Sequence, residues 1–314
     1  MTQRYDITVV GEIFNDHVFS GFAQWPRPGE EVFAESYIRE IGGGAAITSC
    51  ALARLGRRVA VVGVIGKSDE WSRKRLHDFG VATDGLKPSA LDTAVTVSIS
   101  TSQDRSFFTW AGANRELPEH LADSAVQRIL LASRHVHFAM RLDRNLASAL
   151  LPLLHDTGCG TSIDPGFHPD WYRLPENRQT LGECDYFFPN QNEGELITGR
   201  THPQEIMSSL HKLGIRGAVL KLGRRGAAAA RDGKLLFALP PPMHTVDTTG
   251  AGDAFDAGFI DSILDDPATE RALRRGCACG ALSTRSAGGI AALPAKEELD
   301  AMDEQVTIGD AYGE

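Results

Sequence analysis

Short apolar runs alternate with helical segments along most of the chain, and this alternation limits the folds open to it. Five runs of β-branched and apolar residues predict buried strands, at 6–11, 58–66, 135–140, 161–164 and 186–189. Helices are predicted between them, among others near 144–155 and 169–181. Strands and helices that alternate at crossover spacing form a parallel sheet with helices on both faces. We therefore predict an α/β fold with a mainly parallel central sheet.

The composition is that of one ordinary globular domain. With 314 residues, of which 42% are hydrophobic and 23% charged, the chain can bury a large core. A net charge of -9 argues against nucleic acid or an anionic membrane as a partner. No stretch approaches transmembrane length, and the five scattered cysteines fit a reducing cytoplasm. We expect residues 1–314 to form a single cytoplasmic domain.

Two stretches depart from the alternation and predict a small second sheet. One lies at about 12–40 and the other at about 92–112, where Val95, Val97 and Ile99 alternate with polar residues. We expect both segments to be inserted into the α/β core. Exposed apolar strand faces need cover, so this sheet is also a predicted homodimer contact.

The stretch 244–259 predicts a polar, glycine-rich loop that opens a helix. Residues 247–249 are turn formers, and from Phe255 onward apolar residues recur at helical spacing. The start of a helix leaves backbone N–H groups without partners and carries about half a positive charge. Gly250 and Gly252 would let an anion approach the backbone closely. The loop therefore predicts a phosphate site.

Asp253 lies in the first turn of this helix, beside the predicted anion site. A carboxylate there would repel a phosphate unless it took part in the chemistry. Its natural function is to accept the proton of a hydroxyl that attacks a phosphoryl group. The alternative is that Asp253 only stabilises the helix N-terminus and that Asp247 is only a turn former. The whole run 247–255 favours the catalytic interpretation.

Residues 247–255, Asp-Thr-Thr-Gly-Ala-Gly-Asp-Ala-Phe, resemble the C-terminal signature of the ribokinase-like (PfkB) carbohydrate kinases. Members of that family transfer the γ-phosphate of ATP to a hydroxyl of a sugar or nucleoside. The resemblance implies that Asp253 is the catalytic base and that the N–H groups of Gly250, Ala251 and Gly252 form an anion hole. It also implies a ribokinase-like fold in which the small sheet is a lid over the sugar.

By the same resemblance, the substrate-binding residues are Asp16, Gly42, Gly43, Ile47 and Asn114. Asp16 follows the first strand, at the position that holds sugar hydroxyls; the alternative is a solvated turn aspartate. Gly42 and Gly43 match a double glycine that precedes a helix and serves as hinge of the lid. Ile47 is a departure, because family members usually carry an asparagine there. That wall of the site is therefore predicted to be apolar.

A second departure concerns residues 164–169, Asp-Pro-Gly-Phe-His-Pro. They resemble the Asp-Pro-Asn-x-Arg segment of fructokinase and ketodeoxygluconate kinase relatives, but Gly166 and His168 replace the asparagine and the arginine. A sugar acid would use that arginine to bind its carboxylate. Its absence predicts a neutral sugar or a nucleoside alcohol as substrate.

The resemblance further implies binding sites for ATP and Mg²⁺. Asn190 and Glu193 match an Asn-x-x-Glu element that positions the phosphates and, through water, Mg²⁺. Lys221, Gly223 and Gly226 match a glycine turn over the ATP phosphates, although the neighbouring arginines also fit a solvated hairpin tip. Gly252 is implied to contact the nucleotide as well.

A monovalent cation, K⁺, is implied near Asp247 and Thr249. Two alternatives to a sugar kinase stay open at this point. One is a nucleoside kinase that acts on an adenosine-like substrate. The other is a non-catalytic sensor of sugars or nucleotides on the same scaffold, since fold does not fix function. The intact Asp253 favours an enzyme.

Overall fold

The computed structural model describes residues 4–22, 24–101, 105–231 and 234–309. The strands of these ranges are β1 (Tyr5–Gly11), β2 (Phe14–Phe22), β3 (Ser36–Gly42), β4 (Val59–Gly66), β5 (Ala82–Ser89), β6 (Ala94–Thr101), β7 (Arg105–Trp110), β8 (Ser133–Ala139), β9 (Gly160–Ile163), β10 (Tyr186–Phe187), β11 (Val219–Lys221), β12 (Ala227–Arg231), β13 (Lys234–Leu239) and β14 (Thr307–Gly309). The helices are α1 (Gly44–Arg54), α2 (Glu70–Asp78), α3 (Leu117–Leu121), α4 (Ser124–Leu131), α5 (Arg144–Asp156), α6 (Pro169–Arg173), α7 (Pro175–Glu183), α8 (Gln191–Thr198), α9 (Pro203–Lys212), α10 (Ala251–Asp265), α11 (Thr269–Ser283) and α12 (Lys296–Asp303).

A parallel sheet of six strands forms the centre, in the order β10-β9-β8-β1-β4-β5. Strand β4 is buried along its whole length, as expected of a strand covered on both faces. Neighbouring residues of β1 point to opposite faces: Val9 packs with α1, α10 and α11, whereas Val10 packs with α4 and α5. The predicted parallel sheet with helices on both faces is thereby confirmed.

A second sheet, which we call the small sheet, has the order β3-β2-β6-β7. Strand β2 pairs antiparallel with β3 and parallel with β6, and β6 pairs antiparallel with β7. Its strands come from the two predicted segments. Asp16 lies inside β2, so it belongs to a strand rather than to a turn. Phe107 and Phe108 are exposed, and Trp25 stacks on Phe108; the predicted homodimer contact stays a prediction.

An antiparallel sheet, β11-β12-β13-β14, extends the central sheet beyond β10. Isolated parallel bridges from Phe187 to Ala218 and from Asn190 to Lys221 join the two sheets. The apolar runs at 218–222 and 235–239 predict β11 and β13, but no pattern in the sequence predicts the complete sheet. Strand β14 has three residues, too few to show a period of their own.

The predicted helix at 169–181 is wrong in one respect, because two helices, α6 and α7, occupy this stretch. Leu174 between them is extended, with φ -79° and ψ 123°. Its successor is Pro175, whose ring disfavours helical backbone in the preceding residue. Across the described ranges, none of the helices has the length and apolar character needed to cross a membrane.

Candidate active site

The start of α10 has the geometry that the loop predicted. Gly250 caps the helix in the left-handed region, with φ 71°, and its carbonyl accepts from the N–H of Ala254 at 2.9 Å. The N–H of Ala251 donates to the carbonyl of Thr248 at 3.2 Å. Within the described part of the chain, the N–H groups of Gly252 and Asp253 have no acceptor. These two donors can hold an anion, and the anion-hole assignment of Gly250, Ala251 and Gly252 stays a prediction.

Asp253 lies where α1 passes the start of α10. A Cβ atom on Gly44 would lie 3.1 Å from Oδ1 of Asp253 and 3.0 Å from Cβ of Ala139, so this approach requires a small residue. Burial raises the pKa of Asp253 to about 7, the Asp164 carboxylate adds to the rise, and the Lys221 ammonium opposes it. The carboxyl therefore titrates in the range useful to a general base.

Asp16 faces the same space from the small sheet. Its carboxylate lies against Gly42, where a Cβ atom would approach Oδ2 to 1.8 Å, so any side chain at position 42 would displace the carboxylate. Burial raises the pKa of Asp16 to about 7, and the carboxylates of Asp253 and Glu40 add to the rise. No described residue donates a hydrogen bond to Asp16. It is thus a largely buried acceptor with room for ligand hydroxyls.

Lys221 lies between two carboxylates at the end of β11. Its Nζ donates to Oδ2 of Asp164 at 2.6 Å and to Oδ1 of Asp256 at 3.1 Å. A Cβ atom on Gly252 would lie 3.3 Å from Nζ, so the ammonium adjoins the start of α10. Burial alone would lower the pKa of Lys221, but the two aspartates outweigh burial and raise it. The lysine therefore stays charged.

Asp164 and Asp256 were not predicted as site residues. Asp256 follows Asp253 by three positions on α10, which puts both on one helix face, and this spacing was a signal in the sequence. Asp164 follows β9 at the same edge of the sheet. Single carboxylate oxygens of Asp164, Asp253 and Asp256 lie within 4.8 Å of one another. Lys221 Nζ bonds two of these three carboxylates, so its ammonium is the cation of this cluster.

The Asn-x-x-Glu element forms the capping box of α8. Oδ1 of Asn190 accepts from the N–H of Glu193 at 3.0 Å, and Oε2 of Glu193 accepts from the N–H of Asn190 at 2.8 Å. Burial raises the pKa of Glu193 to about 7, Asp164 adds to the rise and Lys221 opposes it. Glu193 therefore belongs to the same charged cluster, and its contact with Mg²⁺ through water stays a prediction.

Two other predicted substrate residues are tied to the chain itself. Oδ1 of Asn114 accepts from the N–H of Ile13 at 3.3 Å, and Nδ2 donates to the Ile13 carbonyl at 3.1 Å. Ile47 is 3% exposed, and a Cβ atom on Gly250 would lie 2.9 Å from its Cδ1. Both residues have a clear structural function, and their contact with substrate stays a prediction.

Asp247 joins the loop before α10 to the glycine turn near 288. The N–H and Oγ1 of Thr249 donate to Oδ1 of Asp247 at 2.9 and 2.8 Å, and the N–H of Gly288 donates to Oδ2 at 2.9 Å. The K⁺ site at Asp247 and Thr249 stays a prediction.

The glycine turn that follows Lys221 has the predicted form. Gly223 and Gly226 have φ 60° and 82°, and the N–H of Gly226 donates to the Gly223 carbonyl at 2.9 Å. A Cβ atom on Gly226 would lie 1.7 Å from the Ala238 carbonyl oxygen. Arg224 and Arg225 are exposed, and Arg225 donates to Gln191. The contact of this turn with ATP phosphates stays a prediction.

Known proteins resemble the chain over nearly its full length. The sequence model of the pfkB family of carbohydrate kinases matches residues 5–296. A ribokinase of Haemophilus influenzae is 28% identical over 309 residues, which cover 94% of this chain and 97% of that protein. The structure of Arabidopsis thaliana ribokinase with ribose and ATP has a TM-score of 0.83 at 23% identity and covers 97% of this chain and 99% of its own. An E. coli protein of the ribokinase II type, solved with ATP and Mg²⁺, has a TM-score of 0.81 at 22% identity. The match covers 97% of this chain and 99% of the E. coli chain. The ribokinase-like fold is thereby confirmed.

Proposed function

The chain belongs to the pfkB family of carbohydrate kinases, and from this premise we propose that it moves the γ-phosphate of ATP to a hydroxyl of a sugar-like molecule with Asp253 as general base. The observation that carries the proposal is the position of Asp253. Its carboxylate lies at the start of α10, next to Lys221 and across from Asp16. The base Asp253, the Lys221 ammonium and the Asp16 carboxylate, which would accept hydrogen bonds from substrate hydroxyls, thus surround one space.

Asp253 has the protonation behaviour that the reaction needs. Its pKa of about 7 lets it accept a proton near neutral pH. As the substrate oxygen bonds to the γ-phosphorus, the bond from phosphorus to the bridging oxygen of ATP breaks. The hydroxyl proton passes to Asp253, and ADP leaves.

Two groups stabilise the negative charge of the migrating phosphoryl group. The N–H groups of Gly252 and Asp253 point outward from the positive end of α10. The Lys221 ammonium adjoins Gly252, held by Asp164 and Asp256. Preorganised donors of this kind supply a large part of the catalysis of such transfers.

ATP and Mg²⁺ are the cosubstrate and metal of the proposal, and the E. coli relative solved with both supports them. Glu193, which interacts with Asp164, would hold the metal through water. When bound, Mg²⁺ neutralises charge on the phosphate oxygens. The small sheet is the proposed lid, which carries Asp16 to the acceptor and excludes water on closure.

The variant Asp253→Asn tests the base directly. We expect turnover to fall by at least about a hundredfold while ATP binding is retained, because general base catalysis is commonly worth that much. Asp156→Asn at the exposed end of α5 is the matched control and should leave turnover unchanged. Near-normal turnover of Asp253→Asn would show that another group accepts the proton.

A further inference from the structure

An arginine lies at the carboxyl edge of the central sheet, beside the proposed acceptor site. Strand β8 runs between β9 and β1. The segments that follow these three strands are therefore neighbours, and they contain Arg141, residues 164–168 and Glu12. Arg141 comes two residues after Ala139, the residue that contacts Gly44 next to Asp253.

This edge belongs to the acceptor half of the site rather than to the nucleotide half. A Cβ atom on Gly43 would lie 2.4 Å from the carbonyl oxygen of Glu12, and the adjacent Gly42 contacts Asp16. Glu12 and Arg141 thus adjoin the element that carries Asp16. The proposed ATP elements, at 190–193 and 221–226, follow β10 and β11 at the far end of the sheet.

Arg141 is the positive group of this edge. Its side chain is exposed, and within the described ranges no acidic residue forms an ion pair with it. The ionisable groups that face it are Glu12 and His168. Burial and the Arg141 guanidinium together lower the pKa of His168 to about 4, against the opposing effect of Asp164, so His168 is neutral at physiological pH. Burial raises the pKa of Glu12, and Arg141 opposes that rise.

Space is available at the turn that carries His168. Gly166 has φ 71°, and a Cβ atom on it would have a single neighbour within 4 Å, Nε2 of His168 at 4.0 Å. Phe167 is 59% exposed on the same turn. A substrate group therefore has room at this turn, beside His168.

We propose that Arg141 binds an anionic group of the acceptor, a carboxylate or a phosphate, so that the substrate of this kinase is an acidic sugar derivative. The inference rests on the proposed phosphotransfer function. A guanidinium binds either anion through two parallel hydrogen bonds. In this proposal the segment that follows β8 supplies the arginine that position 168 lacks, and its absence at 168 no longer predicts a neutral substrate.

The charge of the site explains why such a residue is needed. Asp16, Asp164, Asp253 and Asp256 lie around the reacting centre, where Lys221 pairs with Asp164 and Asp256 and lowers the pKa of Asp253. An anionic acceptor would be repelled by this excess of carboxylates unless a positive group held its far end. Arg141 therefore acts as a specificity residue: it selects the acceptor and takes no part in proton transfer.

The test compares kcat/KM on matched acceptors. Gluconate and glucitol form the carboxylate arm, and fructose 6-phosphate and fructose form the phosphate arm. We expect the wild type to prefer the anionic member of one arm by at least about tenfold. Arg141→Gln should lower kcat/KM on that member at least about tenfold and change the neutral member by less than about twofold. On the anionic member, kcat/KM of Arg141→Lys should lie between those of the wild type and Arg141→Gln, since lysine keeps the charge but loses the paired donors.

Arg128→Gln is the matched control, because Arg128 is an exposed arginine on α4. It should leave both members of each arm unchanged. A wild type that prefers the neutral member in both arms would overturn the inference, and so would an Arg141→Gln variant that changes both members of an arm equally. Asp253-dependent consumption of ATP with glucitol or fructose would then still support the proposed phosphotransfer.

Discussion

Lys221 Nζ lies 2.6 Å from Oδ2 of Asp164, although the two residues are 57 positions apart in the chain. Asp256 contacts the same ammonium from α10, so two carboxylates hold one cation beneath Gly252. Breaking a buried pair of this kind leaves an uncompensated charge. The two aspartates therefore fix the position of Lys221. The charges of all three residues together set the electrostatic potential at Asp253.

Removal of the ammonium should move the pH dependence of the reaction upward. The wild-type kcat/KM should rise with pH and level off above about 7, because Asp253 must be deprotonated to act as base. Lys221 lowers the pKa of Asp253. Lys221→Met should therefore raise that pKa and shift the acidic limb to higher pH. Profiles of kcat/KM against pH measure the shift.

Asp164→Asn should have the opposite effect. The Asp164 carboxylate raises the pKa of Asp253 by repulsion, so its removal should shift the acidic limb to lower pH. Both variants disturb the same buried pair, and a general loss of structure would not move their limbs in opposite directions. Shifts of the same sign in both would contradict the assignment of the limb to Asp253.

Local patterns in the sequence predicted what local structure forms. The loop before α10 and the acid in its first turn depend on residues that are neighbours in the chain, so Gly250 and Asp253 could be identified. The contacts of Lys221 could not, because they join β11 to the end of β9 and to α10. The periodicity of apolar residues in a sequence does not show which residues that are distant in the chain come into contact. Arg141 was not predicted as a site residue for the same reason, since only the strand order makes it a neighbour of His168.

The element at Asn190 and Glu193 shows a different limit. Its spacing is the signature of a capping box, and the structure forms that box. The same two residues match a nucleotide-binding motif, and Glu193 interacts with Asp164 and Lys221. One local pattern can therefore serve helix formation and chemistry together, and spacing alone does not separate the two.

Asp16→Ala should weaken acceptor binding far more than ATP binding. Asp16 has no donor among the described residues, so in the proposed complex its hydrogen bonds go to the acceptor hydroxyls. A hydrogen bond to a charged group is worth about 1.5 to 3 kcal/mol. Asp84→Ala, which removes an exposed partner of Arg4, is the control. Titration calorimetry with each ligand measures the effect, and equal losses for both ligands would exclude the assigned role.

Arg275→Met should destabilise the fold without changing KM. Arg275 is 3% exposed and donates to Asp261 at 2.7 Å and to Asp300 at 2.6 Å, away from the active site. Loss of one partner of a buried pair costs about 3 to 5 kcal/mol. Lys74→Met breaks the exposed pair with Asp78 and should cost about 0.5 kcal/mol or less. Urea unfolding measures both, and similar losses in the two variants would contradict the argument.

The last prediction concerns Gly250 and its contact with Ile47. A methyl group at Gly250 would lie 2.9 Å from Cδ1 of Ile47, on a backbone with φ 71°. Left-handed backbone costs a residue other than glycine about 1 to 2 kcal/mol. Gly250→Ala should therefore lower both stability and turnover. Ile47→Val removes Cδ1, so the double variant should regain part of the steric loss, because Cγ2 of residue 47 and Cα of Gly289 still lie 3.1 Å from the added methyl group. It should keep the backbone part. Gly252→Ala is the control for stability alone, because a methyl group there meets no backbone atom within 4 Å and its nearest neighbour is Lys221 Nζ at 3.3 Å. Thermal unfolding and kcat of the wild type, the two single variants at 250 and 47 and the double variant complete the cycle, and exact additivity would show that residues 47 and 250 do not compete for the same space.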